Sequence, residues 1–284
     1  MSKVINFHKV TNKDWFDRVV CLLKRKYTMI SANDIIDYYC NDGKLPRNSC
    51  LITVDDGDNT SYDIIYPILK KHQVPAIFFI SPEKTMRSGK HRNFWYQEAL
   101  HCDQGEALMT KIHQGRYTID EIWDMIDVYK SEHQVKDLPD QNMTLEQVLE
   151  IDREGLVAIG AHTMDHPFLA RESDNKSQYE IVESIRQLES LLGHPISCFA
   201  YPNGIPGEDF GEREMQTLKM TTCKIAFSTK AKDFSKSDNI YAIPRYGLST
   251  GSMTFIRLKL MLGSKYKYLR RFLMWVKGQS LKNL

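Results

Sequence analysis

Residues 51–57 read Leu51-Ile52-Thr53-Val54-Asp55-Asp56-Gly57, and they are the most informative segment of the chain for its architecture. Apolar, β-forming residues lead into two adjacent carboxylates, and a glycine then turns the chain. This pattern predicts a buried strand that ends at a polar rim. Two neighbouring carboxylates repel each other unless positive charge lies beside them. The rim is therefore the first place to look for a functional site.

A second stretch of this kind lies far downstream, where the apolar run 156–161 opens into His162-Thr163-Met164-Asp165-His166-Pro167. The proline favours a loop over a helix for the two histidines. Imidazole nitrogens suit zinc and related divalent ions, and a carboxylate can supply a third ligand beside an open position. We therefore expect Asp56, His162 and His166 to hold one metal ion, with Asp55 beside it as the base. The alternatives are an incidental histidine pair and a solvated Asp-Asp-Gly turn.

Strand-like and helix-like patterns alternate along most of the chain, with strands predicted at 4–7, 51–54, 76–80, 156–161, 197–201, 224–228 and 240–244. This alternation predicts an α/β fold, a parallel sheet wrapped by helices and either open or closed into a barrel. Both architectures gather reactive residues at the carboxyl ends of strands. The residues predicted at such ends are His8, Asp55, Asp56, His162, His166 and Asn203.

Two segments depart from this rhythm within what we predict to be a single domain, residues 1–284. Residues 86–141 are polar and rich in aromatics, and they predict an insertion with one or two helices. Its Trp95, Tyr96 and Trp123 either stack on sugar rings or form a small satellite core, and the helix-face spacing of Trp123 favours core. Residues 254–277 mix apolar with basic residues, and no acid follows Asp238. They predict a helix that either packs on the barrel or lies on an anionic membrane.

The formal net charge of +2 gives no support for a nucleic-acid partner. The amino terminus lacks the pattern of a signal peptide, and no apolar run is long enough to span a bilayer. The six cysteines are scattered, which is typical of reduced thiols. We expect a cytoplasmic protein, with peripheral contact on the inner membrane face as the alternative that the basic segment suggests.

Residues 53–57 (T-V-D-D-G) resemble the T-F-D-D-G motif of the polysaccharide deacetylases with a NodB-homology domain, carbohydrate esterase family 4. Residues 162–167 match the family's H-[ST]-x-x-H-P motif in full. Residues 199–204 (F-A-Y-P-N-G) are similar to its F-R-x-P-Y-G motif, and residues 7–10 to the Y-H-x-V that opens many members. The resemblance covers about residues 4–248, apart from the insertion.

The resemblance implies a distorted (β/α) barrel and metal-dependent hydrolysis of an acyl group on a sugar. It implies that Asp56, His162 and His166 hold the metal, commonly Zn²⁺ with Co²⁺, Ni²⁺ or Mn²⁺ as alternatives, and that Asp55 is the general base. The turn that contains Tyr201 and Asn203 would supply a backbone N–H to the oxyanion.

The chain departs from the family pattern in two places. The arginine that orients the base is Ala200 here, and the motif's tyrosine is Asn203. Arg245, after a late predicted strand, either replaces that arginine or is a surface residue. No histidine follows His194 to act as the usual general acid. The acid could then be His8, Asp165, a water or a group of the insertion. We favour His8 for its strand-end position, the alternative being a packing histidine.

These observations predict a metal-dependent hydrolase that removes an N-acetyl or other acyl group from an amino sugar of a surface polysaccharide or its lipid-linked precursor. Two alternatives stay open. The same site could serve a deformylase, another C–N amidohydrolase or an O-acetyl esterase. The missing arginine and carboxy-terminal histidine could also mark a catalytically impaired, sugar-binding protein.

Overall fold

The computed structural model describes residues 2–86 and 92–265, which form a curled parallel sheet surrounded by helices. The strands are β1 (Lys3–Phe7), β2 (Thr28–Met29), β3 (Ser49–Val54), β4 (Ala76–Ile80), β5 (Val157–Ala161), β6 (Cys198–Ala200), β7 (Ile225–Phe227) and β8 (Tyr246–Gly247). The helices are α1 (Lys13–Lys26), α2 (Ala32–Cys40), α3 (Tyr66–His72), α4 (Pro82–Met86), α5 (Trp95–His101), α6 (Gly105–Gln114), α7 (Ile119–His133), α8 (Leu145–Glu154), α9 (Asp174–Leu192), α10 (Glu212–Lys219) and α11 (Met253–Leu262).

The strands run in the order β7-β6-β5-β4-β3-β1-β8, and β2 pairs with the start of β3. Every pair of strands is parallel. The two ends of the sheet approach each other, because Phe227 of β7 forms a bridge with Ile243, three residues before β8. This curled, barrel-like sheet confirms the predicted fold class.

Side chains on opposite faces of the sheet enter two different cores. The outer face packs under α1, α3, α8 and α9, and residues such as Ile52, Val54 and Phe78 belong to this core. The inner face forms a second core in which Leu51 and Phe79 pack with residues of α2. Because successive strand residues alternate between the faces, Thr53 and Asp55 follow Leu51 towards the interior.

The late strand predicted at 240–244 is wrong. Residues 239–242 form a turn in which the Ala242 N–H donates to the Asn239 carbonyl at 2.9 Å. Pro244 then lacks the N–H that a strand interior needs. The short strand β8 begins two residues after this proline.

Helices α5, α6 and α7 occupy the region predicted as an insertion and pack around a core of their own. Trp95 and Trp123 belong to that core and are only 1% and 5% exposed. Neither indole is free to stack on a sugar, so the satellite-core alternative, favoured for Trp123 by its spacing, is confirmed for both residues. Residues 266–277 of the predicted basic helix lie outside the described residues, and α11 covers its first part, with Ile256 and Leu260 buried on the barrel.

Within residues 2–86 and 92–265, no helix combines the length and the apolar character needed to cross a bilayer.

Candidate active site

The two adjacent carboxylates point in different directions from the end of β3. Asp55 continues the inward alternation of the strand and is 2% exposed. Asp56 has a φ of +74° and Gly57 a φ of +71°, so the backbone leaves the strand geometry at this point. A positive φ is uncommon and strained for a residue other than glycine. A regular strand would place the two carboxylates on opposite faces of the sheet. The turn at Asp56 and Gly57 replaces that arrangement with a different separation of the two side chains.

Asp55 is held by the residue that the sequence offered as a replacement for the family arginine. The Arg245 guanidinium donates to both carboxylate oxygens, from Nη1 to Oδ1 at 2.7 Å and from Nη2 to Oδ2 at 2.9 Å. Asn6 Nδ2 also donates to Oδ2, at 2.9 Å. A two-pronged arginine–carboxylate pair fixes both the charge and the orientation of the acid. Arg245 is therefore not a surface residue.

The barrel interior surrounds Arg245 completely, leaving it 0% exposed. Its Nε donates to the Ser228 carbonyl at 3.2 Å, and Nη1 also donates to Thr53 Oγ1 at 3.2 Å. The guanidinium carbon lies 5.5 and 5.9 Å from the ring centres of Phe79 and Phe227. Arg245, in the segment before β8, thus supplies the positive charge beside Asp55. The family motif places this charge at the end of β6, where this chain has Ala200.

The two histidines after β5 direct one nitrogen each at Asp56. His162 Nε2 is 3.4 Å from Asp56 Oδ1, and His166 Nε2 is 3.5 Å from the same oxygen. The ring of His162 is oriented by a contact of 2.7 Å between Nδ1 and the Ala200 carbonyl. Since a carbonyl can only accept, Nδ1 carries the proton and the Nε2 lone pair is free.

This triad fits a metal ion. Its ligand atoms all lie within 4.8 Å of one another, and Asp56 Oδ1 is buried without a hydrogen-bond partner among the described residues. A tetrahedral zinc site with bonds of about 2.0–2.1 Å spaces its ligand atoms roughly 3.3–3.4 Å apart. The two nitrogen–oxygen distances of 3.4 and 3.5 Å are close to that value and longer than an ordinary hydrogen bond.

The charge states of the site follow from burial and from its neighbours. Burial alone would raise the pKa of Asp55, but the charges of Arg245, His162 and His8 and the Arg245 hydrogen bonds together outweigh it and hold this pKa below the ordinary value. Burial is likewise outweighed at Asp56, where the imidazoles lower the pKa. Burial lowers the pKa of His166 to about 4. Both carboxylates are then ionised at neutral pH, and His166 is a neutral ligand.

The histidine loop is held from behind by Glu180 of α9. Glu180 Oε2 accepts the backbone N–H groups of Met164 and Asp165, both at 2.9 Å, and the residue is 0% exposed. Thr163 and His166 have φ values of +64° and +57°, and Thr163 Oγ1 accepts the His166 N–H at 3.1 Å. Such strained residues persist only where surrounding bonds over-determine them.

Asp165 does not contact a ligand imidazole, and it is not a loop-surface acid either. It pairs with Lys84 of α4 and accepts the Trp123 indole N–H at 2.6 Å. Trp95 donates its indole N–H to the His166 carbonyl at 2.9 Å. The insertion helices therefore brace the histidine loop, which no local sequence signal had indicated.

Of the remaining predicted residues, His8 is exposed, Asn203 is half-buried and Tyr201 is buried. His8 is at the rim, with Nε2 3.7 Å from Asp55 Oδ2 and its side chain 53% exposed.

Tyr201 is not available to a substrate, which corrects its predicted role. Its hydroxyl donates to the Tyr241 carbonyl at 2.9 Å, its N–H donates to the Phe227 carbonyl at 3.3 Å, and its ring stacks on Phe210.

Asn203 is the remaining donor of the turn after β6. The Gly204 N–H donates to the Pro202 carbonyl at 2.5 Å, and a proline has no N–H to offer. Among the described residues, no acceptor is found for the Asn203 N–H or for its buried side-chain amide nitrogen. Asn203 has a φ of +56°, and this turn conformation places its backbone N–H and its side-chain amide close together.

A cleft of about 470 Å³ lies beside the triad, and the insertion forms one of its walls. Tyr96 of α5 faces Asp56 across it, and burial followed by the Asp56 charge raises the pKa of its phenol well above the ordinary value. His8, Gln97 and His101 also line this cleft. The sequence pattern predicts Tyr96 either as a sugar-stacking residue or as part of a satellite core, not as a neighbour of Asp56. Asn6 is absent from the predicted site, although period-2 alternation from Val4 through His8 places it on the same face as His8.

Comparison with known proteins identifies the family of the chain. The family model described as "Polysaccharide deacetylase" matches residues 42–222, well over half of the chain. The chain belongs to the polysaccharide deacetylase family. Members of this family generally depend on a metal ion, and the triad described above is a candidate for it.

Among curated relatives, the poly-beta-1,6-N-acetyl-D-glucosamine N-deacetylase of Staphylococcus aureus (strain MRSA252) is 24% identical over 256 residues, or 87% of this chain and 70% of the relative. Among solved structures, IcaB from Ammonifex degensii has a TM-score of 0.62 at 19% identity and covers 87% of this chain and 91% of that chain. The deacetylase PplD of Streptococcus pyogenes, solved with acetate, has a TM-score of 0.59 at 17% identity with the same coverage. Both structures share the fold of this polysaccharide deacetylase.

Proposed function

We propose that this chain is a metal-dependent N-deacetylase that removes an acetyl group from an amino sugar of a polysaccharide or of its lipid-linked precursor. The observation that carries the proposal is the convergence of Asp56, His162 and His166, with a buried, arginine-held Asp55 beside them. The curated relative's name, a deacetylase of an N-acetylglucosamine polymer, points to the same bond.

Asp56, His162 and His166 are the residues that would hold the ion, and their two-imidazole, one-carboxylate set favours Zn²⁺. When bound, such an ion lowers the pKa of water and polarises an amide carbonyl. Asp55 then has the role of general base, because its carboxylate is ionised at neutral pH and adjoins the triad. Arg245 keeps that carboxylate charged and correctly oriented.

Two further roles fall to residues at the rim. The Asn203 N–H, which has no acceptor among the described residues, is the candidate donor to the oxyanion that forms on the acetyl carbonyl. His8 is the candidate general acid for the leaving amine, since it lies beside Asp55 and lines the cleft. The exposed position of His8 allows it to exchange protons with solvent between turnovers.

The Arg245–Asp55 pair also weakens the alternative of a catalytically impaired protein. That alternative rested partly on the absence of the family arginine at position 200, and Arg245 supplies its charge from another strand end. We further propose that the basic segment from α11 onward makes peripheral contact with an anionic membrane, which would bring the cleft to lipid-linked sugars.

The test is release of acetate from an N-acetylglucosamine oligomer by the zinc-loaded protein. We expect activity that a chelator abolishes and zinc restores. Asp55→Asn should lose at least 100-fold in turnover, roughly the contribution of a general base, while metal analysis finds one ion still bound. His162→Ala should lose the ion itself.

Asp63→Asn, an exposed carboxylate in the turn before α3, is the matched control and should behave as wild type. A fully active Asp55→Asn variant would show that Asp55 is not the base. Acetate release that persists in the chelated protein would overturn the metal-dependent mechanism.

A further inference from the structure

A second feature of the molecule lies away from the catalytic cleft, on the outer surface of the barrel. A groove of about 530 Å³ runs between α1, the end of α3 and α11. The residues that give it its character are Arg18, Lys24, Arg25, His72, Met253 and Arg257. We call it the arginine groove.

The arginine groove carries positive charge that no acid among the described residues neutralises. Across residues 2–86 and 92–265, no hydrogen bond or ion pair is found for the guanidinium groups of Arg18, Arg25 and Arg257, and all three side chains are exposed. Among the residues that the structure describes, no carboxylate lines the groove. Three unpaired guanidiniums from two separate helices therefore face one volume.

Asp17 of α1, which contacts the groove residue His72, is already engaged. Its Oδ1 accepts from Lys71 Nζ at 2.8 Å and lies 2.9 Å from His72 Nε2. The hydrogen bond from Lys71, followed by that from His72, lowers the pKa of this carboxyl. Asp17 thus stays on the α3 side. Lys24 Nζ donates to the backbone carbonyl of the same His72, at the end of α3, at 2.7 Å, which adds a positioned ammonium to the groove.

This combination matches a phosphate ester. Guanidinium groups pair with phosphate oxygens through two parallel hydrogen bonds, and an ammonium adds a point charge. Met253 gives the groove an apolar side next to these donors. An apolar surface beside a cluster of cations suits a ligand whose phosphate is attached to a hydrocarbon or glycerol part.

The charge distribution of the chain indicates where that phosphate comes from. All 36 acidic residues precede position 239, whereas nine of the 38 basic residues follow it. Arg257 lies in this acid-free part of the chain and also lines the groove. Clusters of basic residues beside apolar ones are attracted to the anionic surface of a membrane.

We propose that the arginine groove binds a phosphate group, and that an anionic phospholipid headgroup supplies it. The groove would then anchor the protein at a defined point of its surface, through positioned guanidinium groups rather than through net basic charge alone. This proposal rests on the groove and not on the deacetylase chemistry, so either can fail without the other.

The test is co-sedimentation of the full chain with vesicles of phosphatidylglycerol and phosphatidylcholine, compared with phosphatidylcholine alone. The groove variant is Arg25→Gln with Arg257→Gln. The segment variant, Arg270→Gln with Arg271→Gln, and the control variant, Arg116→Gln with Arg153→Gln, each remove the same charge elsewhere. Circular dichroism and acetate release should match wild type in all three, because none of these residues belongs to the catalytic site.

We expect wild type to bind the anionic vesicles and the groove variant to bind about 30-fold more weakly, roughly fivefold for each lost charge near the surface. The control variant should bind within threefold of wild type. Equal losses in the groove and control variants would overturn the proposal, as would a loss confined to the segment variant. Arg18→Gln with Arg257→Gln is the second groove variant and should repeat the result.

Inorganic phosphate distinguishes the two sources of the ligand. If the wild type ignores vesicles but is stabilised thermally by millimolar phosphate, and the groove variant is not, the phosphate site stands and the lipid source is wrong. If neither vesicles nor phosphate depend on the groove arginines, the site itself is refuted.

Discussion

Replacing Arg245 by glutamine tests how the base is held. The variant loses two charge-assisted hydrogen bonds, of 2.7 and 2.9 Å, to a carboxylate that is 2% exposed. Hydrogen bonds to charged groups contribute about 1.5–3 kcal/mol each, and removing one partner of a buried ion pair costs about 3–5 kcal/mol. We therefore expect the free energy of unfolding to fall by about 3–5 kcal/mol, which corresponds to a decrease of roughly 6–20 °C in the melting temperature.

The pH dependence gives a second readout of the same pair. Arg245 depresses the pKa of Asp55 in the folded protein, so the pair stabilises the fold above the ordinary carboxyl pKa. That stability is lost as the pH falls through the depressed value. Without the arginine the Asp55 pKa rises, and the acid limb of the kcat/KM profile should move to higher pH. Thermal unfolding and acetate release measured across pH check both effects.

Arg186→Gln is the matched control, because Arg186 forms a similar two-pronged pair with Glu183 on the surface. An exposed pair of this kind contributes at most about 1 kcal/mol. Combining Arg245→Gln with Asp55→Asn removes the unpaired buried charge and should recover part of the lost stability. An Arg245→Gln variant with the melting temperature and acid limb of wild type would refute this account of the site.

Three other changes probe the surroundings of the triad. Glu180→Ala removes the acceptor for two loop N–H groups and should weaken zinc binding about 10–100-fold, measured by chelator competition; Glu180→Gln keeps an oxygen at that position and should bind zinc nearly as wild type, and equal affinities in the two variants would contradict the role of Glu180. Tyr96→Phe should lower kcat/KM about tenfold, the order of one lost hydrogen bond, at unchanged zinc content; unaltered kinetics would exclude Tyr96 from the substrate cleft. Zinc should raise the melting temperature of wild type, because it binds only the folded triad, and should leave His162→Ala unchanged; an equal rise in both proteins would place the ion elsewhere.

The linear sequence was sufficient for the fold class and for the group of residues at the rim. Period-2 alternation and the turn after Asp56 are local properties, and they place strand ends without knowledge of the partners. Since parallel strands align their carboxyl ends, His8, Asp55 and His162 were expected on one edge before any contact was known. The strand at 240–244 failed because the chain turns at residues 239–242 and Pro244 lacks a strand N–H; the proline is a sequence signal against a strand, and the apolar run outweighed it in the prediction.

Only the tertiary structure decided which arginine holds Asp55, what braces the histidine loop and what walls the cleft. Arg245 is 190 residues from Asp55 in sequence, and its choice over the family position depends on how the curled sheet closes. The sequence favours a core position for Trp123 by its helix-face spacing, but it does not distinguish Trp95 from Tyr96. Burial in the satellite core separated the two indoles from the phenol that faces Asp56. Local patterns report which face of a strand or helix is apolar, whereas the pairing of distant charges depends on three-dimensional distances that no local pattern contains.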